Sequence, residues 1–377
     1  MPQELRENPE VLYGAAVALL IVILLTPAVG GMARLLGVVD RPERRRLNLN
    51  PIPRLGGIAI FFGIFVPALA FLELGRETRG VLLGAAVATV VGAIDDFRVL
   101  KPGRKLAGQV VAASIPPFFG VWIDHFTFPL VGAVDLPAGV GVPLTMLWIV
   151  AVMNMVNFLD GLDGLAAGVC GISAATYAIL ALSLGKTDPA ILSAIVAGAC
   201  LGFLRHNFFP ARIFMGDSGA LALGFLLAAV SVQGLLKTAS TIVLFLPLLV
   251  LAVPILDTSF VVARRLKHGE RLSAPDQAHL HFRFLRRGFS QRRAAVTMWV
   301  WCATLAAAAL ATRFIPFRAG GEWHLWETIA YAGIAIVALG VSVYVVYLLE
   351  IVKLASPRLR RQEDAADERR ERLTDAK

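Results

Sequence analysis

Cysteine is nearly absent from this chain, with only Cys170, Cys200 and Cys302 in 377 residues. Each stands inside an apolar run and none has metal-type spacing, which excludes a disulfide framework and a zinc site and leaves the three as packing residues. Charge is scarce as well: Asp, Glu, Lys and Arg make up 17% of the chain, against about 25% in soluble domains. With 57% hydrophobic residues and a mean hydropathy of +0.71, a water-soluble globule is excluded and a membrane protein is expected. Also missing are an internal repeat and the interleaved basic and aromatic residues of nucleic-acid binders. The net charge of +9 therefore speaks for topology and anionic lipid headgroups rather than for nucleic acid. No clear cleavage site follows the first apolar run, "VLYGAAVALLIVILLTPAVGGMARLL" from Val11. That run is too long for a signal-peptide core and is expected to stay as a membrane helix.

Apolar runs broken by charge or by Gly and Pro recur at approximately 11–34, 56–74, 80–94, 106–121, 142–157, 163–184, 189–204, 219–235, 240–262, 295–313 and 327–352, each near the roughly 20 residues that cross a bilayer. The expected fold is an all-α, polytopic integral membrane bundle of about eleven transmembrane helices. It would occupy residues 1–354, with a charged tail over 355–377. An odd number of spans sorts the connections into two sets. The set holding 34–55, 95–105, 158–163, 205–218, 263–294 and the tail carries roughly four-fifths of the 36 lysines and arginines, which the positive-inside rule assigns to the cytoplasm. The N-terminus is then outside and the C-terminus cytoplasmic.

The same sorting brings every chemically suggestive stretch to one face. "GAIDDFRVLKPGRK" closes the third span with Asp95 and Asp96 and follows them with Arg98, Lys101, Arg104 and Lys105. Adjacent carboxylates repel, so a cation or neighbouring bases suit them, although a solvated helix end would read alike. "NMVNFLDGLDGL" carries Asn154, Asn157, Asp160 and Asp163 between apolar flanks, where each charge costs roughly 3 kcal/mol or more in hydrocarbon. Gly161 and Gly164 break the helix there and free backbone amides for a polar ligand and oxygen-ligated Mg²⁺. Interhelical hydrogen bonding would account for the asparagines but not for the two aspartates. In "RHNFFPARIFMGDSG", Asp217 is either a helix cap or a functional carboxylate, and Phe214 is either core or a face on which a base stacks. "PDQAHLHFRF" offers His279 and His281, which can ligate a metal, relay protons or bind phosphate, or simply belong to a basic loop.

Taken together, "DRPERRRLNLNPIPRLGG", "AIDD", "NMVNFLDGLDGLAAG", "NFFPARIFMGDSGALALG", "PILDT" and "HLH" resemble the polyprenyl-phosphate N-acetylhexosamine-1-phosphate transferases, bacterial membrane enzymes that begin cell-envelope glycan assembly. The resemblance runs from Asp40 to Gly288 in family order. It implies Mg²⁺, with Mn²⁺ as a substitute, aligning a UDP-N-acetylhexosamine with a polyprenyl phosphate in a cleft on the cytoplasmic face of the bacterial inner membrane. By that similarity Asn157 and Asp217 are metal ligands, and Asp95 and Asp96 are the acidic pair implicated in catalysis. Asp160, Gly161, Leu162, Asp163 and Phe214 line the uridine pocket, and His279 and His281 sit near the diphosphate and sugar. Asn154, Asn207, Arg54, Lys101 and Lys105 complete the substrate contacts, and a homodimer is left open.

The sequence departs from the family pattern at Phe282, where a further histidine is usual, at Gln277, where arginine is common, and at Asn48, where histidine is. A run of three histidines marks the muramoyl-pentapeptide branch, so its absence favours a GlcNAc-type donor. The competing class is an ion-coupled transporter, which places its carboxylates near the bilayer midplane and commonly in duplicated halves.

Overall fold

Every apolar run is helical where the structure, a computed structural model, describes it; the described residues are 2–40, 51–128, 132–236, 247–268, 279–315, 318–319 and 322–348. Asn48, Gln277 and the tail expected from residue 355 lie outside them. In chain order the helices are α1 (Pro2–Glu7), α2 (Glu10–Leu35), α3 (Gly56–Phe71), α4 (Arg76–Phe97), α5 (Pro102–Phe118), α6 (Ala138–Leu159), α7 (Leu165–Ser183), α8 (Thr187–Asn207), α9 (Gly216–Val230), α10 (Ala252–His268), α11 (Leu280–Arg286), α12 (Gln291–Phe314) and α13 (Leu325–Leu348). Three short antiparallel hairpins are the only strands among the described residues. One of them pairs β1 (Val39–Asp40) with β2 (Ile52–Pro53) just before α3.

Among the described residues eight helices are long and apolar enough to cross a membrane: α2, α4, α6, α7, α8, α9 with its continuation to Gly234, α12 and α13. The chain is a multi-pass membrane protein. The reading of about eleven spans counted apolar composition, and two of those runs make shorter helices, while a third, 240–262, is described only from residue 247. At 16 residues, α3 is about 24 Å long, short of the roughly 30 Å hydrocarbon core. The apolar part of α10 is Ala252–Val262, and α5 has 17 residues and opens on Arg104 and Lys105. An apolar run covered by neighbouring helices need not match the bilayer in length.

Helix α9 is the hub. Its spanning segment is 94% buried, against 11% for α13 at the lipid-facing periphery, and it packs on α3, α4, α6, α7 and α8. The segments leading into α3 and α9 run side by side. Phe214 N–H donates to Pro53 O at 2.8 Å, Gly56 N–H to Phe214 O at 3.0 Å and Gly57 N–H to Met215 O at 2.7 Å. This approach requires glycine, because a Cβ on Gly57 would stand 2.0 Å from the Gly219 nitrogen. Gly216, which opens α9, has φ +71°, and a Cβ there would lie 2.6 Å from the Asp96 carboxylate. Only glycine meets both demands at that position.

Polar side chains join helices within the apolar mass. Gln109 of α5 and Asn154 of α6 exchange amide hydrogen bonds of 3.2 and 2.9 Å, and the second Asn154 N–H donates to Val150 O at 2.7 Å. Asn154→Leu alone would strand the buried Gln109 amide and should cost about 1–3 kcal/mol. Adding Gln109→Leu should restore most of that loss. Thermal unfolding of the single and double variants in detergent measures both; a double variant less stable than Asn154→Leu would refute the pairing as the source of the loss.

Candidate active site

The C-terminal ends of α4, α6 and α8 and the N-terminal ends of α5, α7 and α9 meet at one end of the bundle, joined there by their side chains. The Lys105 ammonium, from the first turn of α5, donates to Asp217 Oδ2, to Asn157 Oδ1 at 3.1 Å and lies 3.2 Å from Asp95 Oδ2. Asn157 Nδ2–H completes the ring by donating to Asp217 Oδ1 at 2.9 Å. Two carboxylates and an amide oxygen thus converge on one cation.

The adjacent acids of α4 have separate tasks. Asp95 accepts the Leu100 N–H at 2.5 Å, which fixes the connection into α5, and turns its other oxygen to Lys105. Asp96 instead caps α9 from outside that helix. Its Oδ1 accepts the Asp217 N–H at 2.8 Å, and its Oδ2 accepts the Ser218 N–H at 3.0 Å and the Ser218 Oγ–H at 2.7 Å. The Asp96 side chain is fully buried, and Arg54 Nη2 stands 3.8 Å away while Arg54 Nη1 is 3.8 Å from Asp40. A carboxylate is stabilised there by the free N–H groups and the positive end of the α9 dipole. Capping by Asp217, open in the sequence, is not what the structure shows, since the α9 N-cap residue makes no side-chain cap bond and the Asp217 carboxylate points to Lys105 and Asn157.

Residues 160–164 link α6 to α7 beside this cluster. Burial, and then the negative charge of Asp217, push the Asp160 carboxyl well above the usual range, with Arg54 opposing. Asp163 accepts the Ala211 N–H at 2.9 Å; burial raises its carboxyl too, against the pull of backbone N–H groups. Asn207 receives the Gly164 N–H at 3.0 Å and donates to Ile213 O at 2.9 Å, so it fastens the 160–164 loop to the segment before α9. Leu162 is buried in the apolar cluster of α7, α10, α11 and α12. Gly161 is exposed, and a Cβ on it would fall 2.3 Å from His281 Nε2. Phe214 is half-buried and Lys101 stands exposed before α5. Asn154 faces Gln109, with its amide hydrogens committed as described above.

The histidines arrive on α11. His279 Nδ1 lies 3.0 Å from Asp257 Oδ2, and Asp257 Oδ1 accepts the Leu280 N–H at 2.7 Å. The His279 ring packs on Phe158 at 5.3 Å and stacks on His281 at 5.7 Å with planes 8° apart. Among the described residues neither His281 ring nitrogen has a hydrogen-bond partner. Burial pushes its pKa down to about 4 against the pull of Asp257, so this imidazole is neutral at neutral pH. Phe282, in place of a further histidine, packs its ring 4.2 Å from that of His281. Asp257, Gln109 and Ser218 were not singled out from sequence. The one signal for Asp257 was a lone acid within the apolar "PILDT".

Hard oxygen donors of this kind suit Mg²⁺, which commonly takes one or two carboxylates and shares its remaining positions with water and phosphate oxygens. Among the described residues no group of three or more His, Cys, Asp and Glu side chains is placed to enclose a metal. The acids belong to the last turn of α4 and the first turn of α9. Placement at helix ends is unlike the midplane site of a carrier.

The sequence model described as glycosyl transferase family 4 matches residues 78–235, the stretch that holds every member of the Lys105 ring. The chain is 38% identical over 286 residues to the probable undecaprenyl-phosphate N-acetylglucosaminyl 1-phosphate transferase of Bacillus subtilis (strain 168), covering 75% of this chain and 80% of that protein. It is 36% identical over 334 residues to the decaprenyl-phosphate N-acetylglucosaminephosphotransferase of Mycobacterium leprae (strain TN), covering 81% and 84%. A phospho-N-acetylmuramoyl-pentapeptide-transferase from Desulforudis audaxviator (strain MP104C) is 34% identical over 334 residues, covering 80% and 97%. With motifs from six helix ends meeting at one end of the bundle, four of them around one cation, and similarity running through most of its length, the chain belongs to glycosyl transferase family 4.

Proposed function

We propose that this protein transfers N-acetylglucosamine 1-phosphate from UDP-GlcNAc to a polyprenyl phosphate, releasing UMP and leaving a polyprenyl-diphosphate sugar in the membrane. The observation that carries the reading is the convergence of Asp95, Asp217 and Asn157 on the Lys105 ammonium at one end of an apolar bundle. The GlcNAc donor is supported by the names of relatives at 38% and 36% identity and by Phe282 in the histidine motif. The site faces the cytoplasm in this reading, as the distribution of lysine and arginine among the connections supports.

A phosphate oxygen of the lipid attacks the phosphorus that bears the sugar, and the bond from that phosphorus to UMP breaks. A phosphate monoester has its second pKa at about 6, so the nucleophile is already ionised near neutral pH and needs no general base. Both reactants are anions, and screening their repulsion is the main requirement. The Lys105 ammonium and the half-exposed Arg54 guanidinium bring positive charge to the phosphates. Asp217, Asn157 and Asp95 would hold Mg²⁺ in place of the Lys105 ammonium that they surround, which would leave that ammonium to the phosphates. When bound, the metal ion supplies charge neutralisation on the phosphate oxygens. Asp96 keeps the N-terminus of α9, and with it Asp217, in place. Asn207 and Asp163 hold the two loops on which Asp160 and Phe214 are presented to the nucleotide.

The test is transfer by the full chain in lipid vesicles supplied with UDP-GlcNAc, polyprenyl phosphate and Mg²⁺. UMP should appear in equal amount to lipid-linked sugar phosphate, and a chelator should stop both. Release no faster than from protein-free vesicles would end the proposal, and turnover of UDP-N-acetylmuramoyl-pentapeptide in place of UDP-GlcNAc would move the chain to the muramoyl branch.

A further inference from the structure

Asp257 lies on α10, far from the Lys105 ring in sequence, and only 1% of its surface is exposed. Both of its oxygens are engaged on one short stretch. Oδ2 is 3.0 Å from His279 Nδ1 and Oδ1 accepts the Leu280 N–H at 2.7 Å. A carboxylate can only accept, so the contact places a proton on Nδ1 and presents Nε2 on the opposite edge of the ring. The plane of that ring is set from its other sides by the parallel stack on His281 and by Phe158, the neighbour of Asn157.

We infer that Asp257 is a positioning residue for the transfer reaction, acting through His279 by fixing which ring nitrogen carries the proton and which way Nε2 points. The inference rests on the transferase reading above. A buried carboxylate behind an imidazole does the same for metal-bound and catalytic histidines: it selects the tautomer and holds the ring while another group does the chemistry. The bland alternative is that Asp257 only secures the start of α11 through the Leu280 N–H.

Asp257→Asn separates the two roles. With its side-chain oxygen on the Leu280 N–H, asparagine keeps the anchor and the volume, but its NH₂ then faces Nδ1. Two donors cannot share that contact, so the proton must leave Nδ1 for Nε2. In the full chain in nanodiscs with ¹⁵N-labelled histidine, the wild type should show a protonated Nδ1 on His279, and Asp257→Asn should show the Nε2–H tautomer. In the transfer assay kcat should fall roughly 10- to 100-fold, as for other outer-shell partners of a functional histidine, with the KM for UDP-GlcNAc changed by less than about threefold. His279→Gln should lose a similar factor, and the double variant should lose no more than His279→Gln alone. An unprotonated Nδ1 in the wild type, a wild-type kcat in Asp257→Asn, or losses that multiply in the double variant would each overturn the inference. If Asp257→Asn does not fold, the wild-type spectrum and His279→Gln still decide it: an unprotonated Nδ1, or wild-type turnover in His279→Gln, counts against it. A wild-type protein that transfers no sugar would instead refute the transferase reading, which the histidine spectrum does not address.

Discussion

Asp217→Asn should lower kcat for sugar-phosphate transfer by about a thousandfold, close to 4 kcal/mol of transition-state stabilisation, while the bundle stays folded. Asparagine has the shape of aspartate, so the backbone N–H at 217 still meets Asp96 at 2.8 Å and the packing of α9 is untouched. What disappears is the negative charge that Lys105 and Asn157 share between them. Without it the hard oxygen set that suits Mg²⁺ is reduced to Asp95 and neutral amides, too little for an ion that prefers anionic oxygen. UMP release measures the loss, and the thermal unfolding midpoint checks that the fold survives. Normal turnover in this variant would remove Asp217 from the site.

Asp96→Ala should fail in a different way, by destabilising the protein by about 4 kcal/mol, the cost of leaving two backbone N–H groups of a buried helix end without acceptors. The Asp217 and Ser218 N–H groups and the Ser218 hydroxyl all donate to this carboxylate, and its side chain has no exposed surface through which water could replace it. Because α9 is the hub of the bundle, a frayed first turn displaces Asp217 as well, so activity should fall together with the unfolding midpoint. Asp96→Asn keeps one acceptor and should lie between. A stable Asp96→Ala protein with lost activity would instead make Asp96 a direct participant in the chemistry, as the resemblance implied for it.

The contrast between Asp95 and Asp96 shows where sequence reading stops. Adjacent residues on a helix point about 100° apart, so one carboxylate meets Lys105 and the other meets the end of α9, although "IDD" offers no way to tell them apart. Asn154 and Asn157 make the same point on α6. Their spacing puts both near one face, yet Asn157 reaches the ring and Asn154 ends on Gln109. Asp257 has no role legible in "PILDT" because its partner stands 22 residues away in sequence and a single acid in an apolar run has no spacing to interpret. The interhelical reading of the asparagines, set aside in favour of a ligand, holds for Asn154.

Hydropathy and charge belong to residues one at a time, and summed along the chain they were enough to establish a membrane bundle and to mark out the polar segments that meet at one end. The division of labour within that end was settled by contacts between residues as far as 122 positions apart. Such pairings depend on the direction in which each helix presents its side chains and on which backbone N–H groups are left open at a buried terminus. Neither quantity exists until the helices have packed.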